Sequence, residues 1–169
     1  PTDERLDRAY LNIVDILRDQ GSDTDALKWC AKIRDTFKGK LPEAIALFTE
    51  ARIHIARDEW QSALDALERL RSFNELGGST VAGGTTEDEV AFLKGFVLEQ
   101  LKKYPEAIET YLSIPDGRKE YYGWRATERL KLLANDEAAK AHIAQKIGTL
   151  SVNPKARDAD LKRRNAQAI

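Results

Sequence analysis

Several residue types from which metal, redox and nucleophilic sites are commonly built are scarce in this chain. Its 169 residues include one cysteine, two histidines and no methionine. The single cysteine, Cys30, excludes an internal disulfide framework and leaves the redox compartment open. Neither His54 nor His142 has a cysteine or another histidine close by at ligand spacing. The sequence therefore predicts no metal site and no cofactor.

Long apolar runs and an excess of one charge are also missing. No apolar stretch approaches the roughly 20 residues that a membrane-spanning helix needs. The formal net charge is -1, which gives no overall electrostatic reason to expect nucleic acid or an acidic membrane as a partner. With 42% hydrophobic and 33% charged residues, the composition is typical of a soluble, helical domain. Residue 1 is proline, which indicates a processed chain or part of a longer one.

Motifs of the common catalytic classes are absent from the sequence. The glycine-rich run GGSTVAGG, residues 77–84, lacks the Lys-Ser/Thr ending of a phosphate-binding loop and follows no predicted strand. There is no G-x-S-x-G motif, and Cys30 has no candidate base. We therefore predict no catalytic residues and expect that the chain is not an enzyme.

Apolar residues recur at spacings of three and four along most of the chain, which predicts amphipathic helices. The clearest stretch, residues 88–115, predicts two helices folded back on each other. Gly21 and Gly39 mark helix ends, and Thr86 with Glu89 forms a capping box. In chain order, the predicted helices are Thr2–Gln20, Asp23–Lys38, Pro42–Arg57, Glu59–Phe73, Glu89–Lys102, Pro105–Ser113, Arg118–Ala134 and Glu137–Ile147.

Between the fourth and fifth predicted helices, Glu75–Thr86 contains four glycines and four Ser/Thr residues, which predicts a flexible loop. A short helical hairpin cannot bury its apolar face alone and needs neighbours of the same kind. The predicted fold is thus all-α, a right-handed array of antiparallel helical hairpins with about eight helices. An irregular helical bundle is the alternative.

Two of these hairpins share a spaced set of residues. Each has a small residue midway along its first helix, a larger one three positions on, an aromatic near the turn and an alanine early in the second helix. This pattern resembles the tetratricopeptide repeat, and the alanine-to-alanine spacings of 37, 44 and 31 scatter around the ideal period of about 34. The two sets are Gly95, Leu98, Tyr104, Ala107 and Ala51, His54, Trp60, Ala63. The small residues in each set, Gly95 with Ala107 and Ala51 with Ala63, predict a close approach of the two helix backbones.

The resemblance implies a protein-binding groove, because the first helix of each hairpin lines the concave surface in repeats of this type. An apolar centre with a charged rim suits a partner peptide or helix. An equally open alternative is that the same phenylalanines fill the core. The predicted groove residues are Phe48, Arg52, Ile55, Phe92, Phe96, Glu99 and Lys131, with Glu120 and Thr127 beside Lys131.

A narrower resemblance covers KEYYGWRATERL, residues 119–130, which is similar to part of the superhelical domain of bacterial soluble lytic transglycosylases. It implies an alternative function, an accessory domain of a cell-wall lytic enzyme in the bacterial envelope, and it favours the periplasm over the cytoplasm. Tyr121, Tyr122 and Trp124 would then stack on sugars. Core packing of the tyrosines is the favoured prediction.

The last residues differ in composition from the rest. We predict a repeat domain over residues 1–150. Residues 151–169, which are rich in lysine and arginine, are predicted to form a capping helix or a connector after it. A nucleic-acid interaction of this tail is a further alternative that we do not favour. Exposed apolar edges on end hairpins would allow a homo-oligomer.

Overall fold

The computed structural model describes residues 5–117 and 120–152, and within them it contains eight α-helices and no β-strand. This confirms the predicted all-α class and the number of helices. The described residues contain no helix with the length and apolarity to cross a membrane. The helices are α1 Leu6–Asp19, α2 Asp23–Thr36, α3 Leu41–Ala56, α4 Trp60–Leu70, α5 Glu87–Gln100, α6 Tyr104–Leu112, α7 Tyr121–Asn135 and α8 Lys140–Val152.

The helix ends fall within five residues of the predicted ones, and the largest difference is the end of α8, which lies at Val152 rather than at Ile147. Helix α8 begins at Lys140 rather than at Glu137. The carboxylate of Asp136 accepts hydrogen bonds from the backbone N–H groups of Ala138 and Ala139, at 2.9 and 3.0 Å. This turn takes up the residues that the sequence assigned to the first turn of the helix. Most of the predicted C-terminal segment, residues 153–169, lies outside the described residues.

By contacts the chain divides into two compact units, Pro1–Val90 and Ala91–Ile169. Unit 1 is built around α3, on which both α2 and α4 pack, while α1 packs on α2. Each residue of α3 from Pro42 to Ala51 is buried. A helix buried on all sides needs its polar groups paired. Its two buried carboxylates are indeed paired, Glu43 with Arg69 at 3.3 Å and Glu50 with Arg34 at 2.7 Å.

The glycine-rich loop of unit 1 folds back on itself, which the sequence did not predict. Backbone hydrogen bonds join Thr85 to Leu76 at 2.9 Å and Gly78 to Thr85 at 3.0 Å. A side chain at Gly83 would lie 2.9 Å from Ile45, so the loop packs closely against α3. The predicted cap of α5 is present, because Thr86 accepts a hydrogen bond from the N–H of Glu89 at 3.2 Å. The Glu89 carboxylate accepts instead from the buried hydroxyl of Thr85.

Unit 2 contains the close helix contact that the sequence predicted at Gly95. A Cβ atom at this position would lie 2.6 Å from the ring of Tyr111, which is fully buried on α6. Ala107, the partner small residue, is also fully buried. Gly123 on α7 is tighter still, with the Pro115 carbonyl oxygen 1.8 Å from the position of its Cβ. These glycines allow helices and the preceding loop to approach closely.

The same turn joins the two helices of the first three hairpins. The residue after each C-cap has a positive φ, +70° at Gly21, +57° at Asp58 and +59° at Lys102. In each turn this residue and the next one donate their N–H groups to carbonyls in the last turn of the helix, at 2.8–3.2 Å. This is the Schellman pattern. The turns are 37 and 44 residues apart, as are the alanines of the predicted repeat, so the three hairpins share one local geometry.

Candidate functional site

The predicted groove residues of unit 1 differ widely in accessibility. Phe48 is only 3% exposed and forms part of the core. Arg52 is exposed, and its guanidinium carbon lies 5.9 Å from the centre of the Phe48 ring. Ile55 is half-buried. In this unit, Phe48 therefore fits the alternative that the phenylalanines fill the core, whereas Arg52 and Ile55 are accessible to a partner.

The predicted residues of unit 2 show the same mixture. Phe92 is 6% exposed, whereas Phe96 is half-buried. Glu99 is committed to an ion pair with Arg129 of α7. Lys131 is exposed and pairs with Glu128 one turn away at 2.7 Å. The structure therefore brings Phe92, Phe96 and Glu99 together along one stripe of α5 and leaves Lys131 with a local partner.

Facing that stripe, α7 contributes Tyr122, for which core packing was predicted, together with Arg125 and Arg129, which the sequence did not single out. The Phe92 ring centre lies 5.8 Å from that of Tyr122 and 5.1 Å from the guanidinium carbon of Arg125. Further along both helices, the Arg129 guanidinium lies 5.7 Å from the centre of the Phe96 ring. Contacts advance in step along the two helices, so α5 and α7 run in the same direction. We call this surface the α5–α7 seam, formed by Phe92, Phe96 and Glu99 with Tyr122, Arg125 and Arg129.

A partly buried polar network fixes one end of the seam. Arg129 donates from Nε to the Glu99 carboxylate at 3.0 Å and makes a second hydrogen bond to the other carboxylate oxygen. The Tyr111 hydroxyl donates to Glu99 at 3.1 Å. The hydrogen bond with Glu99 raises the pKa of the Arg129 guanidinium, and burial raises the pKa of Tyr111. Both groups therefore keep their protons over the ordinary pH range.

The predicted groove positions on α7 differ from the α7 residues that contact α5. Counting from Ala126 by the repeat template pointed to Glu120, Thr127 and Lys131. In the structure Thr127 donates instead to the carboxylate of Asp116 in the preceding loop, at 2.8 Å. The positions that contact α5 are Tyr122, Arg125 and Arg129. Their spacings of three and four were visible in the sequence, but nothing local gave the rotation of α7.

The tyrosine prediction is wrong for one residue. Core packing was expected for Tyr121 and Tyr122, yet Tyr121 is 57% exposed while Tyr122 is half-buried against Phe92. Trp124 is 56% exposed and lies next to Tyr121, with ring centres 6.4 Å apart. The first two turns of α7 thus present two large aromatic rings to solvent.

Unit 1 contains a cavity of about 600 Å³ at the start of α3, and its charged lining residues are Lys38, Lys40, Arg69, Glu43 and Glu75. An anion would be attracted to such a helix start. The carboxylate of Glu43 already occupies this position, because it accepts the Gly39 N–H at 2.6 Å and pairs with Arg69. The cavity therefore has its own built-in anion.

The buried thiol of Cys30 and the buried carboxylate of Glu50 also lie in unit 1. Burial raises the pKa of Cys30 to about 12, which disfavours the nucleophilic thiolate. Burial likewise raises the pKa of Glu50, against the opposing effect of Arg34. In the described part of the chain, no group of three or more His, Cys, Asp or Glu residues is placed to hold a metal ion. The chain matches no protein-family model, no curated protein and no solved structure.

Proposed function

We propose that this chain is a non-catalytic protein–protein interaction scaffold that binds a segment of a partner protein, a peptide or a helix, on the α5–α7 seam. The observation that supports this most directly is the pair of guanidinium groups placed over phenylalanine rings along two helices that run in the same direction. In arrays of the type that the sequence resembles, such first helices line the groove for the partner.

The chemistry of the seam fits this role. Arginine and large aromatic residues are the types that contribute most to binding energy at protein interfaces. Arg125 is exposed and can donate to a partner carbonyl or carboxylate while its guanidinium lies over Phe92. The half-buried ring of Phe96 offers an apolar contact beside it.

The seam is also rigid, which lowers the entropic cost of binding. The Glu99–Arg129 ion pair and the Tyr111 hydroxyl fix the far end. Stacking on Phe92 limits the rotamers of Arg125. A partner segment therefore meets a preformed surface.

Selection of random peptides displayed on phage against the purified chain tests this proposal. Selected peptides should bind the variants Phe96→Ser and Arg125→Ala about tenfold more weakly than the native chain, which corresponds to about 1.4 kcal/mol. Far-ultraviolet circular dichroism and the melting temperature of Arg125→Ala should stay close to native. Arg71→Ala, at an exposed arginine in unit 1, is the control and should bind normally.

Two outcomes would overturn the proposal. One is that no peptide sequence is enriched over the starting library. The other is that enriched peptides bind both seam variants as tightly as the native chain. Phe92→Ser is unsuitable as a binding variant, because Phe92 is buried and its loss should reduce stability first.

A further inference from the structure

The ammonium group of Lys32 lies against two aromatic rings in unit 1. Its nitrogen is 4.4 Å from the centre of the Trp29 ring and 5.1 Å from the centre of the Tyr10 ring. The two rings meet edge to face, with centres 5.2 Å apart and planes inclined at 79°. Tyr10 and Trp29 therefore form a nearly right-angled recess, which we call the aromatic corner, and a cation lies in it.

The packing of the first helical hairpin builds this corner. Tyr10 lies on α1 and Trp29 on α2, and the two helices pack on each other. The Tyr10 ring also meets the ring of Phe37, which is only 3% exposed, edge to face at 5.9 Å. Both corner rings are half-buried against the apolar core of unit 1. The core thus fixes the two rings, whereas Lys32 is exposed and reaches them from solvent.

Ring faces, rather than oxygen atoms, hold the cation in the corner. Among the residues that the structure describes, the Lys32 ammonium contacts the two rings and has no hydrogen bond or ion pair. Lys28, one turn earlier on the same helix, instead pairs with the carboxylate of Asp25 at 2.8 Å. The faces of aromatic rings are electron-rich and attract a cation without accepting ordinary hydrogen bonds from it. The corner therefore favours a ligand for its positive charge and apolar surface, and not for its N–H groups.

A trimethylammonium group meets these requirements better than Lys32 does. A lysine ammonium is strongly hydrated and has three N–H donors, for which the corner provides no oxygen acceptor. A trimethylammonium group has the same charge and no N–H donor, and its methyl groups pack directly on ring faces. The contacts of an exposed lysine with aromatic rings are weak, and a displaced Lys32 side chain can extend into water. A better-matched cation can therefore replace it at little cost.

From this geometry we infer that Tyr10 and Trp29 form a binding site for a trimethylammonium group, and that Lys32 is an internal occupant which the ligand displaces. This group occurs in the choline headgroups of lipids and in the trimethyl-lysine side chains of proteins, and the experiment below distinguishes these two sources. The inference does not depend on the proposed function, because the aromatic corner belongs to unit 1 and the α5–α7 seam is formed by α5 and α7.

Ligand-observed NMR and calorimetry with the purified chain and choline chloride test the inference. The native chain should bind choline weakly, because Lys32 competes for the rings. Lys32→Ala should bind choline about tenfold more tightly, because the competing ammonium is removed and both rings remain. A gain in affinity cannot result from unfolding. The neutral isostere of choline, in which a tert-butyl group replaces the trimethylammonium group, should bind Lys32→Ala about tenfold more weakly than choline does.

Two further variants locate the binding at the corner. Lys28→Ala removes a positive charge from the same helix without uncovering the rings, so it is the matched control and should bind choline as the native chain does. Trp29→Leu, introduced together with Lys32→Ala, should lose most of the gain in affinity, while Trp29→Phe in the same background should keep part of it. Far-ultraviolet circular dichroism should show that each variant retains the native helix content.

Vesicles of phosphatidylcholine and a short peptide with one trimethyl-lysine, each added to Lys32→Ala, distinguish the sources of the group. Binding of the vesicles alone assigns the site to a lipid headgroup, and binding of the peptide alone assigns it to a modified protein. Phosphatidylglycerol vesicles and the unmodified peptide are the respective comparisons and should bind more weakly. The inference is overturned if Lys32→Ala binds choline no more tightly than the native chain, if the neutral isostere binds as tightly as choline, or if Lys28→Ala gives the same gain.

Discussion

Arg129 of α7 and Glu99 of α5 form a two-point ion pair in which two nitrogens of the guanidinium donate to different oxygens of the carboxylate. Glu99 is only 11% exposed at its side chain, and Arg129 is 28% exposed. The guanidinium of Arg129 supplies hydrogen bonds to a Glu99 carboxylate that has lost most of its contact with water. The ion pair also lies on the surface to which we expect a partner to bind. Its disruption should therefore affect both stability and binding.

Replacing Arg129 with Met should lower the free energy of unfolding by about 2 kcal/mol, because Glu99 would be left buried without its cation. Methionine keeps an apolar stem over Phe96, so the charge is the main change. Urea denaturation measures the effect, and Glu99→Gln in the same chain should restore part of the loss. Lys131→Met is the control, because it removes an exposed pair worth about 0–1 kcal/mol. Equal losses from the two variants would contradict this assignment.

In the shared hairpin turn, the residue with the positive φ should be more stable as glycine than as a residue with a Cβ atom. Introducing glycine at this position should therefore stabilise the chain, and replacing glycine should destabilise it. Lys102→Gly should stabilise the chain by about 0.5–1 kcal/mol, because its φ of +59° is strained for a residue with a Cβ atom. Gly21→Ala should cost about 1 kcal/mol, a purely backbone effect since no atom lies within 4 Å of the added Cβ.

Thermal or urea unfolding measures both turn variants. The neighbouring Lys103 has a φ of -85°, so Lys103→Gly relieves no strain and should not stabilise. If Lys102→Gly and Lys103→Gly had the same effect, the left-handed conformation of this turn would not be the cause.

Three helical glycines should respond to alanine according to the space around them. Gly95→Ala should lose about 1–2 kcal/mol by crowding the Tyr111 ring. Gly123→Ala should lose more, because the new methyl would meet the Pro115 carbonyl, which is backbone and cannot rotate away. Gly148→Ala is the control in open space on α8 and should gain about 0.5–1 kcal/mol. Chemical denaturation measures the free energy of unfolding of the three variants. A different order of stability would contradict this packing.

The helices and their close contacts could be predicted because they depend on local pattern. Spacings of three and four gave all eight helices, and the small residues Gly95 and Ala107 are buried as expected. These features need only the periodicity of one helix and the need to hide its apolar stripe.

Accessibility and long-range pairing could not be predicted in the same way. Phe48 lies on α3, which α2, α4 and the folded loop after α4 all contact, and a single helix pattern does not show how many neighbours cover a helix. Glu99 pairs with Arg129, which is 30 residues away and whose direction depends on the rotation of α7. Tyr121 is exposed for the same reason, because that rotation turns Tyr122 rather than Tyr121 toward Phe92.

The buried thiol of Cys30 should be almost unreactive in the folded chain. With its pKa raised from 9.0 to about 12, only about one Cys30 thiol in ten thousand is ionised at pH 8, compared with about one in ten at the ordinary pKa. Labelling with Ellman's reagent should therefore be slower by on the order of a thousandfold than in urea. The control is an exposed thiol introduced by Ser72→Cys together with Cys30→Ser. Rapid labelling of native Cys30 would show that this core is open.

The buried carboxylate of Glu50 should reverse the usual pH dependence of an acidic group. Burial raises its pKa above the ordinary value of 4.5, despite the opposing charge of Arg34. A carboxyl that binds its proton more tightly in the folded state stabilises the fold most at low pH, and this contribution is lost as pH rises from 4.5 through the folded-state pKa.

Glu50→Gln removes this titration while the other carboxyl groups remain in both proteins. The stability of the native chain minus that of the variant should therefore decrease as pH rises through the window just above 4.5, and it should level off at higher pH. Urea denaturation of both proteins at a series of pH values gives this difference directly. A difference that increases with pH would mean that attraction to Arg34 outweighs burial, because a carboxylate with a lowered pKa gains stability in the opposite direction.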